Sequence, residues 1–250
     1  HPFIPPIENA DSEGVFAIRT MDDLLDFKKH IDGKENLIII GGGIQGLEAA
    51  YSVSQLGIKV LVIESFPYLL SRQLDKDLSL KIADELKEIG IETSTGKNTK
   101  KILTKDGKVC GVELDDGTKF DAEAVMIQAG VRMNTEVADN SGLEVDRGIV
   151  VSPELKTEDD SIYAAGDCAQ IGKATIGLWT ASTEMGKIAA NNLLGGHEKY
   201  ETPKPFSSLL IGPIKVFSAG QSSGEGIEEV KKEDGDKIYK LFKKDGKFVG

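Results

Sequence analysis

The sequence predicts an α/β protein: a three-layer α/β domain, then a second set of short strands around one helix, then a β-rich tail. Three observations predict it. Short apolar runs of β-forming residues alternate with amphipathic helical stretches from Met21 to Ser94. A glycine turn, Gly41 to Gly46, joins one of those strands directly to a helix. Beyond Gly96 the alternation gives way to β-like runs separated by Asp106-Gly107 and Asp116-Gly117.

In order, Met21 to Ile31 carries Leu24, Leu25, Phe27 and Ile31 at mixed helical spacing, and Asp32-Gly33 ends it. Asn36 to Ile40 is a continuous apolar strand, Leu47 to Leu56 a helix stopped by Gly57, and Lys59 to Ile63 the next buried strand, which completes a βαβ unit. Asp75 to Ile89, with Leu78, Leu80, Ile82, Leu86 and Ile89, is a second amphipathic helix, followed by the strand Ile91 to Ser94. Lys101–Thr104, Lys108–Leu114 and Thr118–Asp121 form a three-stranded β-meander, after which Glu123 to Gln128 returns as a buried strand ending in Ala129-Gly130. Gly148–Val151 and Ser161–Ala164 read as short strands, and Trp179 to Leu194 as the last clear helix. Glu198 to Pro205 reads as a linker; strands such as Ile214–Phe217 and Ile238–Phe242 follow, with Asp245-Gly246 turning a final hairpin.

Composition narrows the function. The 250 residues, 40% of them hydrophobic, suffice for more than one domain. With 30 Lys and Arg against 41 Asp and Glu the net charge is -11, which repels nucleic acid. No apolar run approaches membrane-spanning length. Cys110 and Cys168 lie far apart, fitting neither a disulfide framework nor a paired-thiol motif; a reducing cytoplasm is the expected setting. Cys110 is read as a structural residue of the meander. His1, His30 and His197 are isolated and read as surface residues, so neither a metal set nor a catalytic triad is expected.

Gly41, Gly43 and Gly46 have Gly-x-Gly-x-x-Gly spacing immediately after a strand and before a helix, the context of a Rossmann-like dinucleotide site. Gly41 permits the turn, Gly43 lets a pyrophosphate approach the backbone, and Gly46 lets the helix pack closely on the strand. The helix start offers unpaired N–H groups to phosphate, and Ile44, within the turn, is counted among the cofactor-binding residues. Glu64, at the end of the following strand, is placed to accept the hydroxyls of an adenosine ribose and to repel a 2′-phosphate, which favours NAD(H) over NADP(H). The competing reading is a glycine turn that binds nothing, with Glu64 a solvated strand end.

Four stretches together resemble the pyridine nucleotide-dependent flavoprotein oxidoreductases, near the NADH:rubredoxin oxidoreductases and the flavoprotein part of NADH-dependent nitrite reductases. They are Ile38 to Glu48, Leu69 to Asp75, Ala129 to Arg132, and Thr157 through Ile162-Tyr163-Ala164-Ala165-Gly166-Asp167-Cys168. The resemblance implies that Asp167 accepts a hydrogen bond from the ribityl chain of FAD and that Gly166 lets the backbone approach the flavin; read alone, the stretch is a strand ending in a loop. It sets Trp179 and Thr180, at a helix start, near the isoalloxazine, where a core or capping aromatic is the alternative for Trp179. Glu48 faces the nicotinamide and flavin region or is simply a helix-start acid favoured by the dipole. Gly130 matches a glycine passing the nicotinamide side, and Met133 stands where a Pro is common. Cys168 is near the flavin or a small packed residue.

The resemblance also implies domains: residues 1–14 a connection from a missing FAD-binding half, 15–134 the NAD(H)-binding domain, 135–197 the second half of the FAD-binding domain, and 204–250 a truncated α+β domain. The family opens with a glycine turn of its own for FAD, none precedes Gly41, and the chain begins His1-Pro2-Phe3-Ile4 without a Met; a fragment is therefore expected. The implied activity is hydride passage from NADH to FAD, then electron transfer to an acceptor protein such as rubredoxin or a nitrite-reductase component. An isolated NAD(H)-binding module without turnover is the alternative. A flavin-free dehydrogenase would need an acid or base that the sequence does not offer. The absence of His from Phe206 onward argues against the glutathione reductase type.

Overall fold

The computed structural model describes residues 1–204, 206–222 and 224–250; Pro205, the end of the expected linker, lies outside them. Two compact units result, one of Pro2–Gly130 with Lys204–Gly250, the other of His1 with Val131–Pro203.

In the first unit the elements run β1 (Val15–Phe16), α1 (Met21–Ile31), β2 (Asn36–Ile40), α2 (Ile44–Ser54), β3 (Lys59–Glu64), α3 (Lys76–Glu88), β4 (Ile91–Thr95), β5 (Thr99–Lys105), β6 (Lys108–Leu114), β7 (Lys119–Asp121) and β8 (Ala124–Ile127). Strands β1, β8, β2, β3 and β4 lie in that order in one sheet, and every pairing is parallel. Its strands are continuously apolar because both faces are covered. Leu37 and Ile39 of β2 pack with Val60, Val62, Met126 and the helices, while Ile38 and Ile40 pack with Ile63, Val125, Ile127 and the meander residues Ile102, Val112 and Leu114. Helices, sheet and the antiparallel β5–β6–β7 meander are the three expected layers.

Several expectations need correction. Only Phe27 and Ile31 of α1 are buried, and Leu24 and Leu25 are exposed. On α3 the buried face runs Ser79, Ile82 and Leu86, with Leu80 outside. His30 is half-buried: its ring lies 5.1 Å from that of Phe16, with Nε2 3.4 Å from the Glu123 carbonyl. Cys110 is exposed on β6 between the buried Val109 and Gly111. In the early residues Ile7 is buried against the meander and the Phe3 N–H donates to the Gly130 carbonyl, while His1, Ile4, Pro6 and Glu8 are exposed.

The second unit holds α4 (Glu136–Asn140), β9 (Ile149–Val151), β10 (Ala169–Ile171), β11 (Ala174–Thr175) and α5 (Trp179–Leu193). Strands β9 and β10 pair in parallel and β10 and β11 antiparallel, and Val151, Leu155, Ala164, Ala169, Ala181, Met185, Ile188 and Tyr200 form the core. Ser161–Ala164 is not a strand. Thr157 closes a turn over it, its backbone N–H and its hydroxyl both donating to the Ile162 carbonyl, and only a single Lys156–Tyr163 bridge remains. Of the described residues of the expected linker only Tyr200 is buried; Glu198, Lys199 and residues 201–204 are exposed, and the Glu198 N–H donates to Asn192 Oδ1.

The tail returns to the first unit as two sheets, β12 (Phe206–Ile211) with β13 (Ile214–Ala219), and β14 (Glu228–Asp234), β15 (Lys237–Lys244) and β16 (Lys247–Phe248). Leu209, Ile211 and Ile214 join the cluster on the helix side of the parallel sheet. No helix among the described residues is long and apolar enough to cross a membrane.

Candidate nucleotide-binding site

In the parallel sheet β2 is flanked by β3 on one side and β8 on the other, so the chain leaves its carboxyl end at a point where the connections diverge. Open α/β sheets bind ligands in that crevice. The glycine turn stands there. Gly41 has φ +122°, and a Cβ on it would lie 2.2 Å from the Gln128 carbonyl oxygen. A Cβ on Gly46 would lie 1.9 Å from the Gly41 carbonyl oxygen, so helix and turn can touch only without one. A Cβ on Gly42, which the spacing did not single out, would meet Leu69 Cδ2 at 2.6 Å. Gly43 differs: nothing lies within 4 Å of its Cβ position. Gly41 and Gly46 are thus required by backbone atoms of the protein itself, a side chain at Gly42 would press on Leu69 and Glu64, and Gly43 borders open space.

That space faces the start of α2, where Gly43 is the N-cap, no side chain caps the helix, and the first turn holds no acid. By contrast α1 begins with a Thr20–Asp23 capping box and α3 with the Asp75 carboxylate accepting from the Leu78 N–H. Unpaired N–H groups at Ile44 and beyond, with the positive end of the helix dipole, suit a pyrophosphate.

Glu64 is buried, at 9% exposure, rather than a solvated strand end. One carboxylate oxygen accepts from the Gly42 N–H at 2.7 Å; the other accepts from the Phe66 N–H at 2.8 Å and the Ser65 hydroxyl at 3.2 Å. The carboxylate therefore holds the turn first. A carboxylate offers about four acceptor positions, so one remains for a ribose hydroxyl, and a second opens if Ser65 turns away. Glu48 is exposed on α2, Ile44 is half-buried, and Gly130 is exposed at the end of the segment that follows β8.

In the second unit Gly166 has φ +80° and begins a 3-10 turn, Gly166–Cys168, beside α5. Asp167 is exposed, and the Ser182 hydroxyl donates to it at 3.0 Å; Ser182, whose partner is remote in sequence, was not anticipated. Trp179 and Thr180 open α5, again a helix start without a side-chain cap, and Trp179 is 87% exposed rather than a core aromatic. Cys168 is half-buried and donates to the Ala165 carbonyl. Among the described residues the long helices without side-chain caps are thus α2 and α5, whose starts adjoin the two sets of candidate residues.

The sequence profile of the family described as "Pyridine nucleotide-disulphide oxidoreductase" matches residues 1–186. Among curated proteins the chain is 36% identical over 244 residues to a nitrite reductase [NAD(P)H] of Bacillus subtilis, covering 96% of this chain and 30% of that protein. It is 32% identical over 275 residues to an NADH oxidase of Methanocaldococcus jannaschii, covering 100% of this chain and 61% of that protein. Among solved structures, a ferredoxin reductase from Rhodopseudomonas palustris superposes with a TM-score of 0.90 at 26% identity over 99% of this chain and 63% of that one. The chain thus spans less than two thirds of the length of these relatives.

Proposed function

Because the chain belongs to the pyridine nucleotide-disulphide oxidoreductase family, we propose that it provides the NADH-binding part of a flavoprotein reductase that passes electrons to an acceptor protein. The observation that carries this reading is the contrast within the glycine turn: Gly41, Gly42 and Gly46 are filled against the protein's own atoms, whereas Gly43 borders open space at an uncapped helix start.

Gly41, Gly43, Ile44 and Gly46 would hold the pyrophosphate, Glu64 the adenosine ribose, and Glu48 and Gly130 the nicotinamide end. Gly166, Asp167, Trp179 and Thr180 would line the FAD, the Asp167 carboxylate accepting from its ribityl chain while Ser182 fixes that carboxylate. Bound together, NADH and FAD supply a hydride donor and its acceptor. The chain's own work is placement: backbone N–H groups neutralise phosphate charge, and the fixed turn aligns the reacting parts without an acid, a base or a nucleophile. The acidic Glu64 selects NADH over NADPH by repelling a 2′-phosphate. The acceptor class is a small redox protein, such as rubredoxin or a nitrite-reductase component, and the exposed thiol of Cys110 suits a reducing cytoplasm.

A second reading, a nucleotide-binding module without turnover, is favoured by one observation: a single Gly-x-Gly-x-x-Gly turn follows a strand in this chain. The visible spectrum of the purified chain, followed by anaerobic NADH, separates the two. Flavin bands that bleach support the reductase; a colourless protein that binds NADH supports the module; a folded protein that binds neither refutes both.

A further inference from the structure

We infer that Lys240, on the C-terminal sheet, is a positioning residue for NADH binding, acting through the segment that backs the glycine turn; this rests on the nucleotide site proposed above. The Lys240 side chain is 3% exposed, with Nζ 2.8 Å from Asp75 Oδ2 and 3.0 Å from Glu229 Oε1, whose side chains are 20% and 39% exposed. Asp75 caps α3 with its other oxygen, which accepts from the Leu78 N–H at 3.1 Å. Beside this ion pair the Ser218 hydroxyl of β13 donates to the Gln73 carbonyl at 2.6 Å. The tail thus grips the end of the segment between β3 and α3 at two places.

The same segment supports the turn at its other end. Leu69 and Leu70 are buried, the Leu70 N–H donates to the Gly42 carbonyl at 3.0 Å, and the Leu69 side chain occupies the space that a Cβ on Gly42 would need. Gly42 is also the residue whose N–H is held by Glu64. Between the two ends the N–H groups of Gln73 and Leu74 donate to the Leu70 carbonyl at 2.8 and 2.9 Å, so a series of contacts runs from Lys240 and Asp75 along the chain through Leu70 to Gly42. A buried ion pair adds little stability over apolar residues of similar volume, because desolvation offsets the attraction. What the pair adds here is geometry: the Lys240 ammonium lies between two carboxylates, one on the segment and one on the C-terminal sheet, and so ties the position of the segment to that of the tail.

The test is NADH titration of the chain and of three variants, with the folded fraction followed by circular dichroism. Lys240→Met removes the charge and keeps the stem; Asp75→Ser removes the anion and keeps a helix cap; Lys240→Arg keeps the charge. The expected result is a Kd for NADH raised about fivefold or more in the first two, the scale of remote coupling, with Lys240→Arg within about twofold of the parent. Variants that are folded yet bind NADH like the parent overturn the inference, as does weakening that only follows the loss of folded protein. If Lys240→Met does not fold, Asp75→Ser decides. A parent chain that does not bind NADH overturns instead the nucleotide site on which the inference depends.

Discussion

Gly43 and Gly46 stand in one turn and are needed for different reasons. At Gly46 any Cβ collides with the Gly41 carbonyl oxygen at 1.9 Å, so Gly46→Ala is expected to displace α2 and lower the melting temperature, with NADH affinity lost alongside. Glu64→Ala leaves the Gly42 N–H without its acceptor, a loss of about 1–3 kcal/mol for a buried donor, and on the proposed function it also removes the charge that would repel a 2′-phosphate. Denaturant titration should register the first effect and paired NADH and NADPH titrations the second, with the preference for NADH diminished. At this scale the spacing of Gly41, Gly43 and Gly46 is legible in the sequence because the three glycines recur at fixed offsets between a strand and a helix, although only Gly41, at φ +122°, needs the backbone freedom and Gly46 the close approach, while Gly43 borders open space. Gly42 is not legible, since its need comes from Leu69 and Glu64. Ser182 beside Asp167 escapes for the same reason, as do the buried Gln170, which accepts from the N–H groups of Arg147 and Gly148, and Asn192, which donates to the Glu154 carbonyl.

Among the elements, those with strong periodicity and clear stops are read correctly: α1, β2, α2, β3, α3, β4, the meander and α5 fall within a few residues of their expected ends. Those that depend on remote partners are not. The two-residue β1 exists because it pairs with β8, α4 is a helix of only 5 residues, and β10 and β11 are held by pairing with β9 and with each other. Ser161–Ala164 has the composition of a strand, but Thr157 closes a turn over it. Cap chemistry supplies a prediction here. Thr20→Ala breaks the capping box of α1, in which the Thr20 hydroxyl accepts from the Asp23 N–H, and should cost about 1 kcal/mol in chemical denaturation while leaving NADH binding unchanged.

At the scale of the whole molecule, the tail and the parallel sheet share one unit, joined in part by the Lys240–Asp75–Glu229 cluster. Burial pushes the Asp75 carboxyl up, but Lys240 and the Leu78 N–H outweigh it and leave it below its ordinary 3.8. Burial likewise pushes Lys240 down, and Asp75 and Glu229 outweigh it to leave it above 10.5. The Asp75 contribution is therefore present above pH 3.8 and is lost as pH falls through the folded-state value; that of Lys240 is present below pH 10.5 and is lost as pH rises through its own. The stability difference between the parent and Lys240→Met/Asp75→Ser should be constant at neutral pH and change toward both extremes, as thermal melts across pH would show. The central claim, that the open space at Gly43 receives a dinucleotide, is tested most directly by titrating NADH into the parent and Gly43→Ala under identical conditions. Gly43→Ala is expected to fold within about 1 kcal/mol of the parent, since nothing lies within 4 Å of the added methyl, yet to bind NADH at least about tenfold more weakly. Equal affinities in two folded proteins, or no NADH binding by the parent, would contradict it.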